Sequence, residues 1–157
     1  GTLDAPAIVG FATALEITSA RRSETVSRVA ALRDDLVTRV MQIAPDAIYT
    51  GSKIYRLANN AHIIFPVCLG ASLLMLLDAQ GVECSVGSAC NAGVPQPSHV
   101  LLAMGADDDA ARSTLRFSLG STTTQADVDK LIEVLPSAIE RAKRAGVPKL
   151  TTAPVRA

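Results

Sequence analysis

The sequence predicts an α/β chain of the α+β kind: a small mixed or antiparallel sheet covered by helices. Three observations carry that expectation. Apolar residues recur at helical spacing through the first quarter of the chain. The middle alternates short β-rich runs with short helices. The chain closes on an alternating strand, with Leu115, Phe117 and Leu119 on one face and Arg116 and Ser118 on the other, followed by an amphipathic helix. With 157 residues, there is enough chain for one domain with a real core.

Residues from Thr2 to about Ile17 form a first expected helix, with Asp4 as cap, Pro6 in the first turn and Ile8, Phe11, Ala12 and Leu15 on one side. A second is expected from about Arg22 to Ile43, its apolar stripe being Val29, Leu32, Leu36, Val40 and Ile43. The charges Arg28, Arg33, Asp34, Asp35 and Arg39 are assigned to a solvated face. Pro45-Asp46 ends this helix. Strands are expected at Ala47 to Thr50, Ala61 to Val67, Val82 to Val86 and Thr114 to Leu119. Helices are expected at Ala71 to Gln80, about Ser98 to Met104, and Asp107 to Ser113. Thr124 with Asp127 starts the last helix in the manner of a capping box, Val128, Leu131, Ile132, Leu135 and Ile139 form its stripe, and Gly146-Val147-Pro148 stops it. Lys149 to Ala157 reads as a loose tail. In domain terms, 1–20 is a connecting helix, 21–148 a small domain containing a loop over 86–97, and 149–157 the tail.

Composition narrows the function. The formal net charge is zero, which gives no electrostatic reason to expect nucleic acid or a membrane surface. No apolar run approaches the roughly 20 residues that cross a bilayer. Three cysteines at irregular spacing (Cys68, Cys84 and Cys90) make a poor disulfide framework and a poor zinc site, and fit a reducing cytoplasm. The start at Gly1-Thr2, without Met, reads as the interior of a longer chain.

Cys90 is the first candidate for chemistry. It sits in Gly87-Ser88-Ala89-Cys90-Asn91-Ala92-Gly93, small residues that build a loop and let another group approach closely. A lone cysteine is usually a small buried hydrophobe; this neighbourhood favours an exposed, reactive thiol, whose thiolate would attack sulfur or carbon. No basic residue flanks it. His99, nine residues on, reads more readily as a helix-packed histidine. Arg116 is the second candidate: on an open face an ordinary surface arginine, on a covered face a fork that suits a carboxylate. Thr2 and Asn60 are weaker, a hydroxyl that could cap a helix or bind an anion and a residue of turn type before a strand.

The run Ser85-Val86-Gly87-Ser88-Ala89-Cys90, followed by Pro97-Ser98-His99-Val100-Leu101 and Met104-Gly105, resembles the catalytic loop of the cysteine desulfurases of the class-V aminotransferase family. Other landmarks fall in that family's order: Gly1-Thr2 before Ile8-Val9-Gly10, Leu57-Ala58-Asn59-Asn60 before Ile63-Ile64-Phe65, and Leu115-Arg116-Phe117-Ser118-Leu119-Gly120 before Thr123-Thr124 and Asp127-Val128-Asp129. The resemblance covers nearly the whole chain.

The resemblance implies the C-terminal domain of a pyridoxal-phosphate enzyme of aminotransferase-like fold (fold type I), working as a homodimer. Cys90 is then the nucleophile that takes sulfur from L-cysteine as a persulfide and leaves alanine. Arg116 and Asn60 bind the substrate, Arg116 by its carboxylate, and Thr2 reaches the cofactor phosphate of the neighbouring subunit. Sulfur would pass to an iron–sulfur scaffold protein, or to tRNA thiolation, and Cys90 would be a transient iron–sulfur cluster ligand. Lys53, Lys130, Lys143 and Lys149 all lie outside the family's Ser-x-His-Lys setting, so the Schiff-base lysine is expected before Gly1, and the segment alone is expected to be inactive. Asn91-Ala92 and Val86 depart from the family pattern. A selenocysteine lyase, or a non-catalytic sulfur carrier that docks on a scaffold, would use the same residues.

Overall fold

In the computed structural model, residues 2–87 and 97–146 are described. Helix α1 (Ala5–Ile43) is one unbroken helix of 39 residues, where two were expected. The junction Thr18-Ser19-Ala20-Arg21-Arg22 explains this: it holds neither glycine nor proline, and alanine and arginine are good helix formers. Asp4 caps it, its side chain accepting from the Ala7 N–H at 3.1 Å. The expected second-half stripe is buried, Val29, Leu32, Leu36 and Val40 among it. The expected first-half stripe is not: Ile8, Phe11 and Leu15 are all exposed, because nothing among the described residues lies against that half of the helix.

Three antiparallel strands follow in spatial order β1 (Ile48–Tyr49), β2 (Asn60–Ile64) and β3 (Thr114–Ser118). Between β2 and β3 come α2 (Gly70–Asp78), α3 (His99–Ala103) and α4 (Asp108–Arg112). The expected strand at Val82 to Val86 is a single bridge: Ser85 pairs with Arg116, and the chain leaves the sheet two residues later. Helix α5 (Gln125–Ala145) closes the fold, with the expected capping box at Thr124 and Asp127. It runs through Pro136, which removes one backbone donor without ending the helix.

The period of two along β2 and β3 divides the sheet. Ala61 and Ile63, with Leu115 and Phe117, face a core completed by α1, α2 and α5. Asn60, His62, Arg116 and Ser118 take the other face. Helices α1, α2 and α5 cover one side of the sheet, and the polar side is left for a site.

The charged side of α1 is more than a wet surface. Arg28 donates to the carbonyls of Ser121 and Thr123 at 2.5 and 2.6 Å. Arg33 is buried, donating to the Leu57 carbonyl at 2.9 Å and pairing with Asp34. Arg39 bridges Asp35 on its own helix and Asp129 on α5. Arg28 and Arg33 thus fasten the helix to the segments just before β2 and just after β3, and Arg39 ties it to α5.

Two backbone positions before and at the start of α2 generate a stability prediction. Val67 has φ of 66°, a left-handed conformation that a β-branched residue adopts only under strain. Gly70 packs so closely that an added Cβ would overlap the Thr114 carbonyl oxygen and lie 2.9 Å from that of Arg112. Gly70→Ala is expected to destabilise by about 2 kcal/mol or more, because only backbone could yield. Val67→Gly is expected to stabilise by on the order of 1 kcal/mol, since the side chain is mostly exposed and strain is relieved. Urea titrations that move the two midpoints in opposite directions check both.

Candidate active site

The polar face of the sheet opens into a cleft of about 350 Å³ whose wall includes Thr50, Asn60, His62, Gly87, Ser98 and Arg116. Four chain segments meet here: β2, β3, the residues at which the chain departs after Ser85, and the N-cap of α3. Ser98 is that cap, buried, its hydroxyl accepting from the Leu101 N–H. Arg56 lines the cleft too, tied by donation to the Ser52 and Thr50 carbonyls at 2.6 and 2.8 Å and stacked 3.8 Å over the Tyr49 ring. A cleft of similar size, about 360 Å³, lies beside Glu83, Asp127 and Lys130 and holds none of the candidate residues.

Arg116 is fixed from both sides. Its N–H donates to the Ser85 carbonyl at 2.7 Å, and its carbonyl accepts from the Ser85 N–H at 3.1 Å. Its other neighbour, His62, is therefore a pair without mutual backbone hydrogen bonds, the kind in which side chains stand closest. The guanidinium is exposed and has no ion-pair partner among the described residues. Of the two readings the sequence left open, the open face is the one realised, and the arginine looks into a cleft rather than bulk surface. Asn60 shares that face, opposite Ser118.

The wall of the cleft carries two arginines and a histidine, and no carboxylate among the described residues. It is electrostatically suited to an anion, and the planar fork of Arg116 suits a carboxylate. His62 stays uncharged there: burial pushes its pKa down, and the Arg116 charge adds to the effect.

The other candidates lie elsewhere. Cys90 falls outside the described residues, as does its expected role as a cluster ligand. Thr2 is exposed ahead of α1, a helix about 58 Å long at 1.5 Å per residue, whose packed part begins only at Val29; within one chain it is not brought to the cleft. His99, expected to be packed, is exposed at the start of α3 because Ser98 and Leu101 take the buried positions. Burial pushes up the thiols of Cys68 and Cys84, the latter to about 11, so neither is a thiolate at neutral pH. Lys130 pairs with Glu133 and Lys143 with Asp46, and Lys53 lies outside the cleft wall. Among the described residues no cluster of histidine, cysteine and carboxylate could hold a metal ion, and no helix is long and apolar enough to cross a membrane.

The sequence reading missed His62 and Thr50. His62 sat inside an apolar run and was counted as part of a strand. Its period-two relation to Asn60 was the available signal for a shared face.

Residues 1–131 match the family model for aminotransferase class-V. The chain is 52% identical over 148 residues to an "IscS-like cysteine desulfurase" of Mycobacterium tuberculosis, covering 94% of this chain and 38% of that protein. It is 42% identical over 141 residues to "Cysteine desulfurase IscS 1" of Archaeoglobus fulgidus, covering 90% and 37%. A solved NifS-like protein from Rickettsia africae superposes with a TM-score of 0.78 at 26% identity, covering 89% of this chain and 36% of that one. The chain thus spans little more than a third of the length of these relatives. The match runs from α1 through the sheet and cleft into α5, and on it the chain belongs to the class-V aminotransferase family.

Proposed function

We propose that the protein carrying this chain is a cysteine desulfurase, and that this chain supplies its substrate arginine and its sulfur-accepting thiol. The observation that carries the reading is the cation-lined cleft at the point where the chain leaves Ser85 towards Cys90, with Arg116 registered against Ser85 itself. Two of the relatives named above, those of Mycobacterium tuberculosis and Archaeoglobus fulgidus, are called cysteine desulfurases and support it.

The reaction needs few groups from this chain. Arg116 binds the carboxylate of L-cysteine through its fork, and Asn60 on the same face offers an amide to the same ligand. Binding there points the substrate with its sulfur free. When bound, pyridoxal phosphate supplies the electron sink that weakens the substrate's carbon–sulfur bond. No described lysine lines the cleft, so in this reading the chain's residues act on the substrate and holding the cofactor aldehyde falls to the rest of the protein. The Cys90 thiolate attacks the substrate sulfur. A sulfur–sulfur bond forms, the carbon–sulfur bond breaks, and the carbon takes a proton to become alanine. The enzyme is left as the Cys90 persulfide, and atoms and electrons balance without an outside oxidant.

The same reading places Thr2 on the cofactor phosphate of a second subunit in a homodimer, and passes the persulfide sulfur to an iron–sulfur scaffold protein in the cytoplasm. A thiol that must visit a substrate and then a partner protein belongs on a loop of small residues.

Two measurements test this on the full-length, cofactor-loaded protein. Alanine release from L-cysteine is expected from wild type and to be essentially absent from Cys90→Ser; equal release from both would refute the thiol's role. Release from L-selenocysteine but not from L-cysteine would establish the lyase instead. Arg116→Lys keeps the charge but loses the fork, and kcat/KM for L-cysteine is expected to fall about tenfold to a hundredfold, mainly through KM. An unchanged KM would remove Arg116 from the substrate.

A further inference from the structure

We propose that His62 is a positioning residue whose ring holds the strand bearing Arg116 and the residue at the root of the Cys90 loop, Gly87, in register. The proposal rests on the desulfurase reading above and names a further residue for that site.

Three contacts converge on the one ring. His62 stands directly opposite Arg116 across β2 and β3, in the close type of antiparallel pair. Its Nδ1 lies 3.0 Å from the Thr50 hydroxyl at the end of β1, and that hydroxyl also lies 3.0 Å from the His62 carbonyl. Its Nε2 would lie 3.0 Å from a Cβ added at Gly87, with Thr114 Oγ1 closing the other side at 2.9 Å. Gly87 is where the chain clears the sheet after the Ser85 bridge. A side chain there would push against the ring, so the absence of one lets imidazole and loop root pack directly.

The hydrogen bonds fix the ring's form. The Thr50 hydroxyl has a single proton. Donated to the His62 carbonyl, it leaves a lone pair for Nδ1, which must then carry the ring proton. Nε2 is left bare, towards Gly87. The charged groups around it are all positive: Arg116 faces it from β3, Arg56 lines the same cleft, and no carboxylate among the described residues does. A second proton would set two cations side by side in a partly desolvated place, which is why the ring titrates below its ordinary value near 6.5. Above that pH the ring is neutral and the packing intact. As pH falls below about 6.5, an unfolded chain takes the proton before the folded one does, so the folded arrangement loses stability until the pH passes the lowered value.

The test uses the full-length, cofactor-loaded protein. Alanine release at saturating L-cysteine is followed from pH 5 to 9 in wild type, His62→Asn, His62→Phe and Thr50→Val. Wild type is expected to lose kcat on the acid side in two parts, first as the Cys90 thiol takes its proton and then, at a pH below the ordinary imidazole value, as the His62 ring does. Asparagine places an amide N–H where Nδ1–H was, but cannot titrate. His62→Asn should keep kcat within about threefold at pH 8 and lose only the part of the acidic fall that belongs to the ring, leaving that of the Cys90 thiol. His62→Phe fills the space without the hydrogen bond and should lower kcat about tenfold or more at pH 8, as small misplacements near reacting groups do. Thr50→Val removes only the hydroxyl and should move kcat the same way, which keeps the test alive if His62→Phe fails to fold. Imidazole ¹⁵N shifts give a readout apart from activity, with Nδ1 protonated and Nε2 bare. An acidic profile in His62→Asn identical to that of wild type, wild-type kcat at pH 8 in both His62→Phe and Thr50→Val, or a proton found on Nε2 would each overturn the proposal. Wild type releasing no alanine at any pH would sink the desulfurase reading itself, whereas active wild type with indifferent variants sinks only the role of His62.

Discussion

Strand β3 is the constraint on which the rest depends. Its apolar residues, Leu115 and Phe117, anchor the core against the helices, and the residue between them carries the site's arginine. The alternation that buries two side chains turns the third outward, so a slip of one residue would bury Arg116 and expose Phe117. Burying an unpaired guanidinium is costly enough to make that slip improbable. Core packing therefore sets the orientation of the functional residue.

What holds β3 on its two edges decides what Arg116 meets. On one edge β2 brings Asn60 and His62; on the other a single residue, Ser85, makes both of its backbone hydrogen bonds to Arg116. One bridged residue is enough to tie the departing chain to the arginine, and it leaves the following residues outside the ladder. A longer strand would have fixed more of the chain and drawn it away from the cleft. The short bridge fixes the backbone of Arg116 while only Ser85 of the departing segment joins the sheet.

Much of this was legible in the sequence, for identifiable reasons. The alternation at 114–119, the stripe from Val29 to Val40 and the capping box at Thr124 are local patterns, and local patterns survive folding. The break expected between Ile17 and Arg22 does not form because the chain carries no helix breaker there. The strand expected at 82–86 shrinks to one bridged residue because an apolar run has β character whether or not a neighbour pairs with more than one of its residues. The arginines of α1 were read as solvated because a helical wheel shows charge but not the carbonyls of Leu57, Ser121 and Thr123, which come from distant parts of the chain. His62 was hidden by its apolar neighbours, and its partners on β1, β3 and the loop root are knowable only once the strands are paired.

The electrostatics of the cleft follow from the same geometry. Charged residues of both signs balance over the chain as a whole, yet the carboxylates that pair with cations among the described residues sit on or just past the helices: Asp34 and Asp35 on α1, Asp46 in the turn after it, and Asp129, Glu133 and Glu140 on α5. The cleft wall receives arginine and histidine from the sheet and no acid among the described residues. Neutrality overall thus coexists with a local excess of positive charge that an incoming carboxylate would meet at short range, where partial desolvation strengthens the attraction. The same burial that keeps His62 uncharged keeps the Cys68 and Cys84 thiols protonated, since desolvation opposes whichever form carries charge. Arg56 is tied to carbonyls, whereas the exposed Arg116 has no ion-pair partner among the described residues, and that leaves its fork open to a ligand.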